Sequence, residues 1–280
     1  MLKFDTVSFA YGGETILRDL SFEIKQGEFV ALLGENGAGK STLCKLCNGL
    51  LKPASGTVTI DGKDTRKVKT SILARSVGYL FQNPDRQLCQ NTVREEISFG
   101  LDYALADKGL DKQELEEEKK RRCEEMLDLF NLEAERAPFG LSRGERQQTA
   151  LASVLARKAP VLILDEPTTG LDYHECMTIM GIIKQYHEEG TTVLMITHDM
   201  EVAADFAERA LLVNNGGLAG SGTVREVMKN KALLDANSLL PAQIPALAMQ
   251  LGPGYEKVFT INEMLAAVTA ASAGHKGALQ

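Results

Sequence analysis

The feature that most constrains this chain is a glycine-rich stretch, GENGAGKS, which runs from Gly34 to Ser41. It follows a continuous apolar run in residues 27–34, which is typical of a strand buried on both faces of a sheet. A helical pattern over about residues 40–50 comes directly after it. A strand, a glycine-rich turn and a helix in this order form a phosphate-binding loop. The sequence therefore predicts an α/β fold with a phosphate site at one edge of its sheet.

The residue types in this loop suit a bound phosphate. Glycines let the loop turn its backbone amides inward, and the helix N-terminus adds partial positive charge. We expect Lys40 to bridge the β- and γ-phosphates and Ser41 to ligate Mg²⁺. An incidental glycine-rich turn is the alternative, and the strand and helix on either side argue against it. The predicted nucleotide contacts in the loop are Gly34, Asn36, Gly37, Ala38, Gly39, Lys40, Ser41 and Thr42.

Three further strand patterns end in polar residues. "VLILDE" delivers Asp165 and Glu166 at its C-terminal end, where ligands bind in open α/β sheets. We expect Asp165 to hold Mg²⁺ and Glu166 to orient and deprotonate an attacking water. His198 follows "TVLMIT" and is expected to touch the γ-phosphate, while Gln82 ends "SVGYLFQ" and is expected to contact Mg²⁺ or water. Each of these residues taken alone is also consistent with a structural or surface role, and the phosphate loop is what argues against that role for the two acids.

Strand patterns alternate with helical patterns along most of the chain, which predicts parallel β/α architecture with helices on both faces. A charged helical stretch at about residues 93–157 interrupts the alternation. It is too short for the sustained heptads of a coiled coil, so we predict a small helical subdomain. Residues 1–222 are assigned to one α/β domain. Residues 223–280 read as a helical extension around prolines, with a disordered tail from Ala273.

Composition narrows the classes of function. The net charge of −7 argues against a nucleic-acid partner. No run approaches 18 apolar residues, so no membrane span is predicted, and the alternating N-terminus does not resemble a signal peptide. The five scattered cysteines suggest a reducing compartment. Cys44 and Cys47 form a C-x-x-C without a second pair to complete a metal site, so we predict that both are small apolar residues on one face of a helix.

Taken together, the motifs resemble an ABC-type ATPase over nearly all of residues 1–222. The resemblance rests on the phosphate loop, Gln82, "LSRGERQ" from Leu141, "VLILDEP", "GLD" ending at Asp172, and His198, in the order of that family. It implies a mixed β core, a RecA-like P-loop sheet, an inserted helical subdomain, and ATP and Mg²⁺ as cofactors. It also implies that Tyr11, the aromatic residue after the first strand, stacks on adenine.

The resemblance further implies that Ser142 and Gly144 reach the γ-phosphate of ATP bound to a partner subunit. The sequence departs from the family pattern Leu-Ser-Gly-Gly-Gln here, because Arg143 replaces the first glycine and Glu145 replaces the glutamine. The contacts to phosphate need backbone room, which a Cβ at position 143 reduces, although an arginine adds a charge suited to phosphate oxygens. The substitution therefore puts the site on the partner's ATP in doubt and leaves ATP binding by this chain unaffected.

A finer resemblance involves "FQNPDRQL" from Phe81 and "TVREEISFG" from Thr92. These segments are similar to the ATPase subunits of energy-coupling factor importers and of related cobalt and nickel importers, which take up vitamins or metal ions. The extension after residue 222, with "LPAQIPALAMQLG", resembles the C-terminal extension that holds two such subunits together.

This likeness implies a peripheral subunit at the cytoplasmic face of the cell membrane. Its expected partners are a second ABC ATPase subunit, in a homodimer or heterodimer, a transmembrane coupling protein and a substrate-binding membrane subunit. Two alternatives remain open at this point. One is a soluble ABC ATPase without a transport role, and the other is a catalytically impaired nucleotide-binding subunit in a heterodimer.

Overall fold

The computed structural model describes residues 1–255 and 257–277. Segments with alternating apolar residues and segments with continuous apolar runs lie in two different sheets. The first sheet is antiparallel and has the strand order β2-β1-β4-β5. Its strands are β1 (Leu2–Tyr11), β2 (Glu14–Ile24), β4 (Ser55–Ile60) and β5 (Lys63–Asp64).

The second sheet has the order β10-β9-β3-β8-β7-β6. Five of its strands are parallel, and β10 pairs antiparallel with β9 at one edge. The β9–β10 hairpin turns at Asn215 and Gly216, both with positive φ, as the Asn-Gly dipeptide predicts. Its strands are β3 (Phe29–Leu33), β6 (Val77–Leu80), β7 (Val161–Asp165), β8 (Thr192–Ile196), β9 (Arg209–Asn214) and β10 (Gly217–Thr223).

Twelve helices, counted over the described residues, connect and cover these strands. They are α1 (Lys40–Cys47), α2 (Thr70–Ser76), α3 (Val93–Ser98), α4 (Leu101–Leu105), α5 (Lys112–Phe130), α6 (Arg143–Leu155), α7 (Tyr173–Glu188), α8 (Met200–Phe206), α9 (Val224–Lys229), α10 (Lys231–Ala236), α11 (Gln243–Leu251) and α12 (Ile261–Gly277). The predicted α/β class, with a mixed β core and a helical insertion, is confirmed.

Both faces of the parallel sheet are buried, which explains its continuous apolar runs. Val30 and Leu32 of β3 pack with the antiparallel sheet and with α1. Ala31 and Leu33, which alternate with them, pack with α8 and α9 on the other side. The sheet is therefore the middle layer of the domain, and the loops at its strand ends are positioned from both sides.

The five cysteines are free. Cys44 and Cys47 lie on the buried side of α1, as the C-x-x-C interpretation predicts, and burial raises the pKa of both thiols. Cys123 and Cys176 are also buried, whereas Cys89 is exposed. The pair in α1 is thus part of the core.

The C-terminal region is tied to the domain where the Gln243 amide donates to Glu201 Oε1 of α8 at 2.6 Å, and its own helices are joined to each other. Arg225 of α9 lies 2.7 Å from the Glu263 carboxylate of α12 and sits over the Phe259 ring at 4.8 Å. Helix α12 continues to Gly277, past the point where the sequence predicts a disordered tail, and residues 278–280 lie outside the described residues. Within the described ranges, no helix is long and apolar enough to cross a membrane.

Gly56 and Gly62 offer a matched test of backbone packing in the antiparallel sheet. Both have nearly the same φ, +76° and +75°, but a Cβ at Gly56 would collide with the carbonyl oxygens of Asp5 and Thr6 while Gly62 faces open space. We expect Gly62→Ala to destabilise the fold by about 1 kcal/mol through backbone strain, and Gly56→Ala by about 3 kcal/mol or more because the strands must also separate. Thermal melting of the two variants measures the difference, and equal losses would contradict this packing.

Candidate nucleotide-binding site

The loop between β3 and α1 needs glycine for two separate reasons. At Gly34 (φ +146°), a Cβ would collide with the carbonyl oxygen of Val213 in β9. Gly39 precedes α1 with φ +99°, in the left-handed region that favours glycine. The loop thus closes tightly against the sheet and opens into the N-terminus of α1, where backbone amides are available to an anion.

Lys40 is almost fully buried inside this loop. Its Nζ donates hydrogen bonds to the carbonyl oxygens of Gly34, at 2.7 Å, and Glu35, at 2.9 Å. Burial lowers the pKa of the ammonium, and the nearby Glu166 and Asp165 carboxylates oppose that shift. The loop therefore holds a cation between its own carbonyls and two acids.

One cavity of about 330 Å³ brings most of the predicted residues together. This size is at the lower end of the range for small-molecule sites, about 300–1,000 Å³. The phosphate loop, Gln82, the two acids and Tyr11, the last residue of β1, share it, although they come from four separate parts of the chain. The lining residues are Tyr11, Ile16, Asn36, Gly37, Gly39, Lys40, Ser41, Thr42, Gln82, Asp165, Glu166 and Ile196.

Asp165 is the last residue of β7 and is 3% exposed. Burial raises the pKa of its carboxyl, and a hydrogen bond with Ser41 is the main effect that opposes the rise. Ser41, Asp165 and Gln82 offer only oxygen ligands for a metal, which is the donor set that Mg²⁺ prefers. These three residues therefore fit Mg²⁺ that also binds phosphate oxygens and water. Within the described residues, no group of three His, Cys, Asp or Glu side chains could hold a metal.

Glu166 is held in an unusual conformation. Its φ of +56° places a non-glycine residue in the left-handed region, where strain of about 1–2 kcal/mol is expected and functional residues are over-represented. Its amide donates to the Ile196 carbonyl at 3.0 Å. Its Oε2 lies 2.7 Å from His198 Nδ1 and accepts a longer hydrogen bond from Thr169 Oγ1, at 3.4 Å.

The Glu166 carboxylate is thus buried beside an exposed imidazole at the edge of the cavity. The His198 side chain is 69% exposed and that of Glu166 is 7% exposed. Such an arrangement suits a general base whose direction is set by a neighbouring ring. His198 contacts Glu166, which lines the cavity, but the histidine itself is not among the lining residues.

Ser142 and Gly144 lie outside this cavity, at the start of α6. Ser142 caps the helix, and Glu145 completes a capping box by accepting from the Ser142 amide at 2.7 Å. The Glu145 carboxylate also pairs with Arg136 at 2.6 Å, and its hydrogen bonds with Ser142 lower its pKa. An acid at this position therefore stabilises the start of α6. This local role explains why a glutamate can replace the glutamine of the family pattern.

The side chain of Arg143 lies beside Gly170, in the loop that ends at Asp172. A Cβ built on Gly170 would be 2.9 Å from Arg143 Nε. Gly144 also packs on this loop, since a Cβ there would lie 3.3 Å from Leu171 Cδ2. Arg143 is exposed and forms no ion pair with any residue that the structure describes. The added side chain thus finds room along the Gly170 loop.

Sequence reasoning missed several residues of the site. Tyr79 in β6 donates to Asp165 Oδ2 at 3.4 Å, and the signal was a single hydroxyl in a buried strand next to the one that carries Asp165. Gln147 of α6 is 1% exposed and donates to the Pro167 carbonyl at 3.2 Å. Ile16 and Ile196 line the cavity, and nothing in their apolar patterns distinguishes them from core residues.

Comparison with curated proteins gives relatives along most of the chain. A protein of Caldanaerobacter subterraneus, described as an ABC transporter ATP-binding protein, is 42% identical over 90% of this chain and 43% of its own length. The chain thus spans about two fifths of the length of that relative. The energy-coupling factor transporter ATP-binding protein EcfA of Methanothermobacter thermautotrophicus is 39% identical over 91% of this chain and 82% of its own length.

Two solved structures share the fold. CbiO1 from Clostridium perfringens, part of the ABC transporter complex CbiONQ, has 31% identity and a TM-score of 0.71, covering 89% of this chain and 98% of its own. A dimeric ATP-binding cassette bound to ADP and Pi also has 31% identity and a TM-score of 0.71, covering 80% of this chain and 99% of its own.

Residues 17–169 match the ABC transporter family, and this segment includes the phosphate loop, Gln82, the start of α6 and both acids of the cavity. The resemblance predicted from the motifs is confirmed: the chain belongs to the ABC transporter family as an ABC-type ATPase, and its relatives include ATP-binding proteins of energy-coupling factor transporters.

Proposed function

We propose that this chain is the ATP-hydrolysing subunit of an energy-coupling-factor importer that takes up vitamins or metal ions. The observation that carries the proposal is the Glu166 carboxylate, 2.7 Å from His198 and in the same cavity as Lys40. Relatives named as energy-coupling factor ATP-binding proteins support the transport role. The subunit works at the cytoplasmic face of the membrane as a peripheral component.

Each residue of the cavity has a separate role in ATP binding and hydrolysis. Lys40 and the amides at the start of α1 bind the phosphates, and the half-exposed Tyr11 ring, at 46%, offers a surface on which adenine stacks. Bound Mg²⁺ supplies charge neutralisation at the phosphate oxygens, and Asp165, Ser41 and Gln82 are the residues that hold it. Glu166 accepts the proton of the attacking water.

A second ATPase subunit completes each site in this proposal. Ser142 and Gly144 lie at the start of α6 and outside this chain's own cavity, so their contact with a γ-phosphate requires the nucleotide of a partner. The structural neighbour that binds ADP and Pi is itself dimeric. The C-terminal extension, residues 223–280, is a second contact, since it exposes apolar side chains at Leu247, Leu251, Ile261, Leu265 and Val268.

The membrane partner docks beside the loop of residues 83–88, which we call the docking loop. Next to this loop runs a groove of about 240 Å³, and an adjoining cavity of about 380 Å³ shares residues such as Phe99 and Arg157 with it. Exposed apolar side chains line the two cavities, among them Leu50 at 50%, Phe99 at 59% and Tyr103 at 63%. Contiguous exposed apolar surface is a feature of partner sites.

Two other functions compete with this proposal. A soluble ABC ATPase would not need an exposed apolar groove beside the docking loop, and it would purify without membrane proteins. A catalytically impaired subunit would lack a working base, whereas Glu166 here is buried, oriented and paired with His198. Identification of the membrane proteins that co-purify with the chain separates the first alternative from an importer.

Replacing Glu166 by glutamine tests the hydrolytic role. Gln cannot accept the proton, so we expect turnover to fall by about 10²–10⁴-fold, while ATP affinity stays within about threefold because Lys40 and the loop are untouched. Phosphate release by the assembled complex and nucleotide binding by the isolated chain are the two measurements. Unchanged turnover would remove Glu166 from the mechanism.

Reversing the charge at Arg86 tests the docking loop. Arg86 is exposed and lies outside the cavity, so Arg86→Asp should leave the ATPase activity of the isolated chain unchanged. We expect the same variant to lose co-purification with the membrane partner or to abolish uptake. Normal assembly together with normal uptake would exclude this loop as the docking site.

Replacing Arg143 by glycine tests whether two ATP sites in a heterodimer are inequivalent. Arg143 belongs to the site on the partner's nucleotide, so Arg143→Gly should change turnover there and leave ATP affinity at this chain's own loop unaltered. An arginine that binds ATP tightly only in the ground state stabilises bound ATP without stabilising the transition state, which slows the chemical step. We therefore expect turnover to rise when Arg143 is removed. Turnover of complexes with Arg143→Gly, Lys40→Ala or both is the measurement. No effect in either background would show that the arginine is neutral.

A further inference from the structure

The docking loop is fastened to one face of α6. Its turn, Pro84–Arg86, is capped by Asn83, whose Oδ1 accepts from the Asp85 amide at 3.0 Å. Asp85 Oδ1 then lies 2.8 Å from Arg146 Nε. The carboxylate that closes this contact is therefore fixed by the local structure of the loop, and α6 provides the cation.

Gln87 makes the second attachment. Its Nε2 donates to the Ala150 carbonyl at 2.9 Å and to Ser153 Oγ at 3.3 Å, and its Oε1 accepts from the Phe81 amide at 3.1 Å. Residues 146, 150 and 153 are spaced by four and three positions, which places them on the same side of a helix. The loop thus lies along α6 over two turns, and the two elements are expected to move as one body.

Arg146 also reaches the segment that begins the helix. Its Nη1 donates to the Leu141 carbonyl at 2.6 Å, one residue before Ser142, which caps α6. A single guanidinium therefore contacts the docking loop on one side and the Leu141–Gly144 segment on the other. Arg146 Nε has no hydrogen-bond partner among the described residues, so its contact with Asp85 is an ion pair, whereas the contact with Leu141 is a hydrogen bond.

We propose that Arg146 is a positioning residue, which sets the Leu141–Gly144 segment according to the position of the docking loop. The role in transport rests on the proposed function, since a membrane partner must dock on the loop. The link itself lies within this chain. Displacement of Asp85 moves Arg146, and Arg146 moves the carbonyl that precedes Ser142. A change at the docking loop then alters the reach of Ser142 and Gly144 toward the partner's nucleotide.

We expect a break in this link to weaken ATP-driven dimerisation and to leave the folding stability of the chain nearly unchanged. The Arg146 and Asp85 side chains are 23% and 51% exposed, and exposed pairs of this kind contribute about 0–1 kcal/mol to folding. Reversal of the charge at Asp85 instead places two guanidinium groups together and forces the loop and the helix start apart. The melting temperature should change little, while the contact with the second subunit weakens.

The experiment uses the full chain without any membrane protein, in a Glu166→Gln background that slows hydrolysis. ATP-driven dimerisation is measured by sedimentation for the parent, for Asp85→Arg, for Arg146→Ala, and for the two changes combined. Asp128→Arg is the matched control, because Asp128 is an exposed acid on α5 with no ion pair among the described residues. It introduces the same change of charge at a position away from the loop.

We expect Asp85→Arg to weaken dimerisation by about five- to tenfold, within the range by which residues of one coupled network alter a distant site, and to have little further effect when Arg146 is already alanine. Asp128→Arg should dimerise as the parent does, with all melting temperatures close together. Unchanged dimerisation in Asp85→Arg, or an equal loss from Asp85→Arg with arginine and with alanine at position 146, would overturn the role of Arg146. Failure of the wild-type chain to bind a membrane partner would instead refute the proposed function and leave this link intact.

Discussion

Burial of a parallel sheet on both faces is the constraint on which the rest of the structure depends. Because apolar layers cover the two sides, polar groups gather only where the strands end. The carboxyl ends of β3, β7 and β8 deliver the phosphate loop, the two acids and His198 to the same edge. The site is therefore a product of strand order, and the same order places Tyr79 of β6 next to Asp165.

Residues whose role follows from local sequence were predictable. The phosphate loop has its own glycines, and Asp165 and Glu166 follow a strand that four apolar residues define, so their placement required only the assumption of a parallel sheet. Contacts between distant segments carried no such signal. Asp85 and Arg146 are 61 positions apart, and neither the loop nor the helix pattern indicates that the two charges meet. Tyr79 shows the same limit, because its hydroxyl reaches Asp165 only where β6 lies beside β7, and the sequence does not specify which strands are neighbours.

In the segment from Leu141 to Glu145, the two departures from the family pattern have different structural reasons. Glu145 serves the start of α6 through its capping box and its pair with Arg136. Arg143 has no such local role, and its side chain lies along the loop at Gly170. One substitution is therefore explained by helix stability, whereas the other adds an exposed side chain beside Gly170. Sequence comparison alone treats the two as equivalent, and the geometry separates them.

The distribution of thiols has a practical consequence. Burial raises the pKa of four cysteines, at positions 44, 47, 123 and 176, and it also shields them, so they are poor nucleophiles toward reagents in solution. Cys89 is exposed and follows the docking loop by one residue. A maleimide-linked fluorophore added to the native protein should therefore attach at a single place, beside the surface that we propose for the membrane partner. The chain carries its own attachment point for an optical probe of assembly, without any engineered cysteine.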